Sequence, residues 1–180
     1  RGSGVCRSLF LRTFMVMMLF ITGSNGIYAG EDLKATLPTT QDGNNIWTWN
    51  PSQNMFSWED QWGNLMPIFT IAKGTLKTDY VALKFTTSNY TSQYRVCFME
   101  GDDLVATKTL ESAGEMTIKI SELQVNEGKD LSQVDNIKFG GAFGIKRGSI
   151  TLDPNSIVLI GQSQVKVSPS EANKGTVYFT

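Results

Sequence analysis

Tyr80-Val-Ala-Leu-Lys-Phe-Thr86 and, one polar loop later, Tyr94-Arg-Val-Cys-Phe-Met99 decide the fold class of this chain. In the first run Val81, Leu83 and Phe85 fall on one side, with Tyr80, Ala82, Lys84 and Thr86 on the other. In the second, Tyr94, Val96 and Phe98 oppose Arg95, Cys97 and Met99. Met116, Ile118 and Ile120 oppose Thr117 and Lys119 in the same way. Successive side chains of a strand point to opposite faces, so each run predicts one core face and one solvent face. Antiparallel sheets packed on each other satisfy that pattern.

Outward from these runs the chain continues in short β-type segments. Strands are predicted over 47–49, 55–58, 66–71, 104–109, 136–139, 149–152 and 156–160. Breaks are expected at Asn50-Pro51, Gly63-Asn64, Lys73-Gly74, Thr87-Ser88-Asn89, Gly101-Asp102-Asp103, Ala113-Gly114, Gly140-Gly141 and Asp153-Pro154. Strands recurring every ~8–12 residues indicate a sandwich or barrel. Only Ser121–Gln124 and Leu131–Val134 read as helical turns, too little for a helical layer.

The N-terminal segment has a different character. Phe14-Met-Val-Met-Met-Leu-Phe-Ile-Thr22 follows Arg7 and Arg12 and precedes a Gly/Ser/Asn stretch ending at Tyr28-Ala29. This is the pattern of a secretory signal peptide over 1–29. The run falls well short of the ~20 apolar residues that a spanning helix needs. The expectation is therefore a secreted, cell-surface or periplasmic domain over 30–163, with no membrane contact after cleavage. Without the leader's Arg1, Arg7 and Arg12, 13 Lys/Arg face 17 Asp/Glu, a net charge of −4. No basic surface for nucleic acid arises from that balance. Histidine is absent, which excludes a Ser-His-Asp triad and a His-ligated zinc site. Cys97 is the only cysteine after the leader, so no internal disulfide can form and the core must carry stability.

All four tryptophans lie between Trp47 and Trp62, in Trp47-Thr-Trp49 and Phe56-Ser-Trp58-Glu-Asp-Gln-Trp62. An indole offers a flat apolar face with a polar edge. Pyranose rings present C–H patches that stack on such a face, while their hydroxyls need planar hydrogen-bonding partners. Asn54, Glu59, Asp60, Gln61 and Asn64 are interleaved with the rings. Trp62, in a polar turn, is the leading ligand candidate, with Trp49, Trp47 and Glu59 beside it. Trp58 reads as core, and Trp47 and Trp49, two apart, also share a face that a core could take up. A second candidate is Tyr90, in a loop, with Arg95 on the following strand opposite the apolar set. There the guanidinium fork could serve sugar hydroxyls or carboxylates, or pair with a carboxylate on a neighbouring strand.

No carboxylate pair stands out at the separation glycoside cleavage requires. The adjacent pairs Glu59/Asp60 and Asp102/Asp103 point apart in a strand and are solvated in a turn. The chain is read as non-catalytic. No cofactor is expected. Glu31, Asp32, Asp42 and Asp153 are oxygen donors for a structural calcium ion, although no calcium-loop spacing is present. Over 164–180, Val165-Lys-Val-Ser-Pro169 and Ser170–Gly175 run into Thr176-Val-Tyr-Phe-Thr180, which reads as a linker or the start of a following domain, or alternatively as a last edge strand.

The order of these features has a parallel. The leader, the Trp-x-Trp and Phe-Ser-Trp segment, Tyr80–Lys84, Tyr94–Phe98, Val134-Asp-Asn-Ile-Lys-Phe139, Gly148-Ser-Ile-Thr-Leu152 and Ser156–Leu159 follow in turn. From Trp47 to Ile160 the chain resembles the N-terminal β-jelly-roll carbohydrate-binding modules of secreted polysaccharide-degrading enzymes of gut and rumen Bacteroidetes. The resemblance implies a two-sheet jelly roll binding a β-glucan, xylan or mannan chain. It also implies a glycoside hydrolase domain linked beyond Thr180. The rival expectation is a structural or adhesive surface sandwich that binds no glycan.

Overall fold

The computed structural model describes residues 31–44 and 46–162. The leader expected over 1–29 and the linker expected over 164–180 lie outside the described residues. Between them the chain forms an all-β, antiparallel sandwich of two sheets, as the alternating runs predict. The strands are β1 (Leu33–Lys34), β2 (Asp42–Gly43), β3 (Trp47–Asn50), β4 (Met55–Trp58), β5 (Leu65–Thr70), β6 (Tyr80–Ser88) and β7 (Tyr94–Glu100). They continue with β8 (Asp103–Leu110), β9 (Gly114–Lys119), β10 (Asn136–Gly141), β11 (Gly148–Leu152) and β12 (Val158–Gly161). The larger sheet has the order β1-β12-β6-β11-β4-β3-β2, with β9 also paired to β6; the smaller has the order β5-β10-β7-β8. Single turns of 3-10 helix occupy Ile120–Glu122 and Leu131–Gln133, and one α-turn, α1 (Leu76–Asp79), closes on Leu76. The two helical turns expected at these places are present, whereas α1, β1 and β2 carry no pattern in the sequence.

The inner faces meet in one core. Leu83 and Phe85 from β6 join Phe56, Trp58, Ile150 and Leu159 of the larger sheet. Opposite them stand Phe139 and Ile137 from β10 and Tyr94, Val96 and Phe98 from β7. The Phe85 and Phe139 rings meet edge to face at 5.0 Å and 83°, tying sheet to sheet. Trp58 is lodged more tightly. A Cβ on Gly141 would overlap its indole nitrogen, and one on Gly148 would overlap the far edge of its ring. Two glycine backbones, one from each sheet, thus clasp a single indole.

Those contacts explain one departure from the sequence reading. Gly140-Gly141, expected as a break, lies inside β10 and keeps register with β7 through Gly141↔Tyr94. The glycines let other groups close on the strand from both faces: Trp58 at Gly141, Asn64 and Leu65 at Gly140. Likewise β6 runs on through Thr87 and Ser88, because the Thr87 hydroxyl finds the Tyr94 phenol at 3.1 Å inside the sandwich. Val81, expected in the core, is 43% exposed. Ile160 pairs with Ala82 and Gly161 with Tyr80, so Val81 is the extra residue of a β-bulge and is turned outward. The expected solvent face of β7 is also covered: Arg95, Cys97 and Met99 are all buried.

The rims of the smaller sheet are β5 and β8. Pro67 sits on β5, a rim position that tolerates a residue with no N–H to share. On β8, Lys108 pairs with Val96, so the two share the inner side, yet Lys108 is exposed. The β7–β8 hairpin is pinned by Asp135, whose carboxylate accepts from the Gly101 N–H at 2.9 Å and the Asn136 amide at 2.6 Å.

Replacing Gly141 by Ala should cost about 1–3 kcal/mol, since the new methyl must displace the Trp58 ring from a filled core. Urea denaturation reads this directly, and a midpoint equal to the parent's would contradict the clasp. A second expectation concerns acid. The Gly101 N–H, then the Asn136 amide, holds the Asp135 carboxyl below its ordinary value. Its contribution to stability is complete above the unfolded carboxyl value of about 4 and is lost as pH falls through the lower folded value. Asp135→Asn should therefore flatten the fall in melting temperature below about pH 4; an unchanged acid limb would show that this carboxylate is not the pin.

Candidate functional site

The six-residue connections that follow β4 and β10, 59–64 and 142–147, come together. The β4–β5 loop carries Glu59, Trp62 and Asn64; the β10–β11 loop carries Phe143 and Arg147. Arg147 Nε reaches Glu59 Oε2 at 2.9 Å and joins the loops. The Trp62 and Phe143 rings then face each other at 6.5 Å, tilted by 60°. Trp62 is 64% exposed and Phe143 51%, the two most exposed large apolar residues among those described. Local hydrogen bonds shape both loops. The Trp62 N–H donates to Asp60 Oδ1 at 3.2 Å, and the Asn64 amide donates to the Asp60 carbonyl at 2.7 Å. On the other loop the Ala142 N–H donates to the Gln93 carbonyl and the Ile145 N–H to the Ala142 carbonyl, both at 3.1 Å.

Beneath Phe143 lies Arg95, with its guanidinium carbon 3.7 Å from the ring centroid. Arg95 projects from β7 on the outer face of the smaller sheet, between Gly140 and Thr109 of the flanking strands. It is only 4% exposed, and its Nε has no hydrogen-bond partner. Asn64, fully buried, likewise leaves its Oδ1 without a partner. Both orphan atoms border Gly140: Arg95 pairs across from it, and the Asn64 oxygen lies 3.1 Å from where its Cβ would be. Buried polar atoms are nearly always paired, so two orphans beside one glycine single out this place.

The remaining candidates fall elsewhere. Trp49 is 1% exposed and its indole N–H donates to the Pro38 carbonyl at 2.9 Å; it is a core residue, and its ring is closed to any ligand. Trp47 is half-buried against Phe56, with ring centroids 6.2 Å apart and the planes tilted by 52°. Trp58 is core, as expected. Tyr90 is 37% exposed and leans on Tyr94 at 6.3 Å. Glu59 is exposed, and its carboxylate is engaged by Arg147. Of the oxygen donors considered for calcium, Asp32 accepts from the Gly161 N–H, Asp42 from the Gly43 N–H and Asp153 from the Asn155 N–H. Among the described residues no three acidic or thiol side chains gather around a common point.

Phe143 escaped the sequence reading. The signal was an aromatic set between Gly141-Ala142 and Gly144, a segment too poor in other apolar residues to bury it. Cys97 lies one strand position further along the same outer face, opposite Lys138 and Thr107. Burial pushes its thiol above the ordinary value, against the smaller opposing pull of Arg95, the Thr107 hydroxyl and Lys138. The thiol is therefore held neutral, a filler rather than a nucleophile. What remains is a wet aromatic pair over a dry guanidinium, an arrangement that can stack on a ring and hydrogen-bond its substituents.

No family model, curated protein or solved structure matches this chain.

The exposure of Trp62 is directly measurable. Trp62→Phe should remove most of the acrylamide-quenchable tryptophan fluorescence, whereas Trp49→Phe should leave the quenching constant nearly unchanged. Equal effects of the two substitutions would place Trp62 in the wrong environment.

Proposed function

We propose that this domain is a non-catalytic carbohydrate-binding module of the jelly-roll kind. It would be exported by its leader and would tether an attached glycoside hydrolase to plant-type polysaccharide. The observation that carries this reading is the exposed Trp62 ring facing Phe143 above Arg95. Burying large apolar rings is favourable, so two of them left wet on neighbouring loops mark a surface awaiting a partner. A sugar ring supplies what such a surface lacks: C–H groups for the indole face and hydroxyls for the orphan polar atoms of Arg95 and Asn64. Two rings exposed on loop tips, rather than inside a cavity, suit an internal stretch of polymer better than a small enclosed ligand. Binding would act through effective concentration, keeping the linked active site near its substrate without any change in chemistry.

Affinity electrophoresis through gels containing β-glucan, xylan, mannan or pectin tests the reading. The parent domain should be retarded in at least one lane. Trp62→Ala should weaken that retardation by about tenfold or more in apparent Kd while leaving the urea midpoint within ~0.5 kcal/mol. Identical migration of the parent in every lane would favour the structural or adhesive alternative and end the glycan proposal.

A further inference from the structure

Resting on that reading of the site, we infer that the ligand is an acidic glycan, one whose sugars carry carboxylates, and that Arg95 is the group that selects it. Removing a cation from water is costly unless an anion or a full set of acceptors replaces the solvent. Arg95 is 4% exposed, yet none of the six ion pairs among the described residues includes it. Its Nε donor is unmet. The π face of Phe143 lies over its guanidinium, 3.7 Å from ring centroid to Cζ.

The surrounding charges point the same way. Lys138, on β10 and on the same face, is one strand position away, and its sole carboxylate partner is Asp102, at a loose 3.7 Å and fully exposed. The acidic groups close to the site are already engaged: Glu59 by Arg147, Glu111 by the Gln93 amide at 2.7 Å, and Asp60 by the Trp62 N–H. Arg95 and Lys138 thus place two cations side by side on the outer face, neither of them closely paired with a carboxylate.

A guanidinium presents parallel N–H donors that match the two oxygens of a carboxylate, and such pairs are among the strongest in proteins. A neutral hydroxyl leaves the charge uncompensated. A uronic-acid residue stacked on Trp62 would bring its carboxylate to the Arg95 side of the aromatic pair. Phe143 is 51% exposed on the β10–β11 loop, and for a carboxylate to reach the guanidinium its ring must be displaced. The charge-assisted pair then replaces the cation–π contact.

Polygalacturonate and its fully methyl-esterified form test this directly, because they share one backbone and differ in whether the carboxylate is free. In affinity gels at fixed ionic strength the domain should bind the free acid at least tenfold more tightly than the ester. Arg95→Gln should erase that preference. Comparable retention by acid and ester, or retention only by neutral glucan or mannan, would overturn the acidic-glycan inference while leaving the binding-module reading intact. Retention by nothing would sink both. A preference that survives Arg95→Gln in a folded variant, judged by near-ultraviolet circular dichroism, would assign it to diffuse charge and also overturn the inference. Should Arg95→Gln fail to fold, titration of the parent with galacturonate oligomers against galactose oligomers, followed by tryptophan emission, decides the matter. Equal responses would overturn the proposal.

Discussion

The indole of Trp58 is the point on which the two sheets depend. It reaches from β4 in the larger sheet to the backbone of β10 in the smaller, and it fits only because Gly141 and Gly148 carry no side chains. Close approach of backbone to ring on both sides makes this contact intolerant of even one added carbon, in the way close-packed interiors generally are. The same clasp sets the position of the β10–β11 loop, since Gly141 and Gly148 bracket it. Phe143 is thereby delivered to the outer face above Arg95, and Arg147 to Glu59. Core packing and surface site are thus two ends of one short segment.

This coupling accounts for the layout of polar atoms. Of the four buried side-chain atoms without partners among the described residues, three, Trp58 Nε1, Asn64 Oδ1 and Arg95 Nε, border Gly140-Gly141. The Trp58 N–H is the cost of pressing an indole against a strand. The other two lie buried beside Gly140, under the loops that carry Trp62 and Phe143. A domain that tolerates such atoms in one place, and satisfies Tyr94 with Thr87 and Ser112 nearby, concentrates its unmet bonding where binding is proposed.

The sandwich was legible in the sequence because alternation over 80–86, 94–99 and 116–120 leaves little choice of period. The site was legible only in part. Trp62 stood out because Glu59, Asp60 and Gln61 around it cannot form a core. Trp49 misled because its polar edge is met by the Pro38 carbonyl, from a segment with no periodic signal at all. Arg95 was assigned to solvent because a two-residue period says which face a side chain takes but not what later covers it. The cover comes from Phe143, 48 positions further along the chain, and only the clasp at Gly141 explains its arrival. Glycine pairs read as punctuation from sequence alone, whereas here they are the places where other elements come nearest.

Lys108 leaves one more mark on how these molecules behave in company. Its ammonium occupies the inward side of the rim strand β8, where a neighbouring copy adding a strand would have to bury it. Ladder growth from one molecule to the next along that rim is therefore opposed by desolvation of a charge. Copies at high local concentration can thus stay separate particles rather than zip into a fibre.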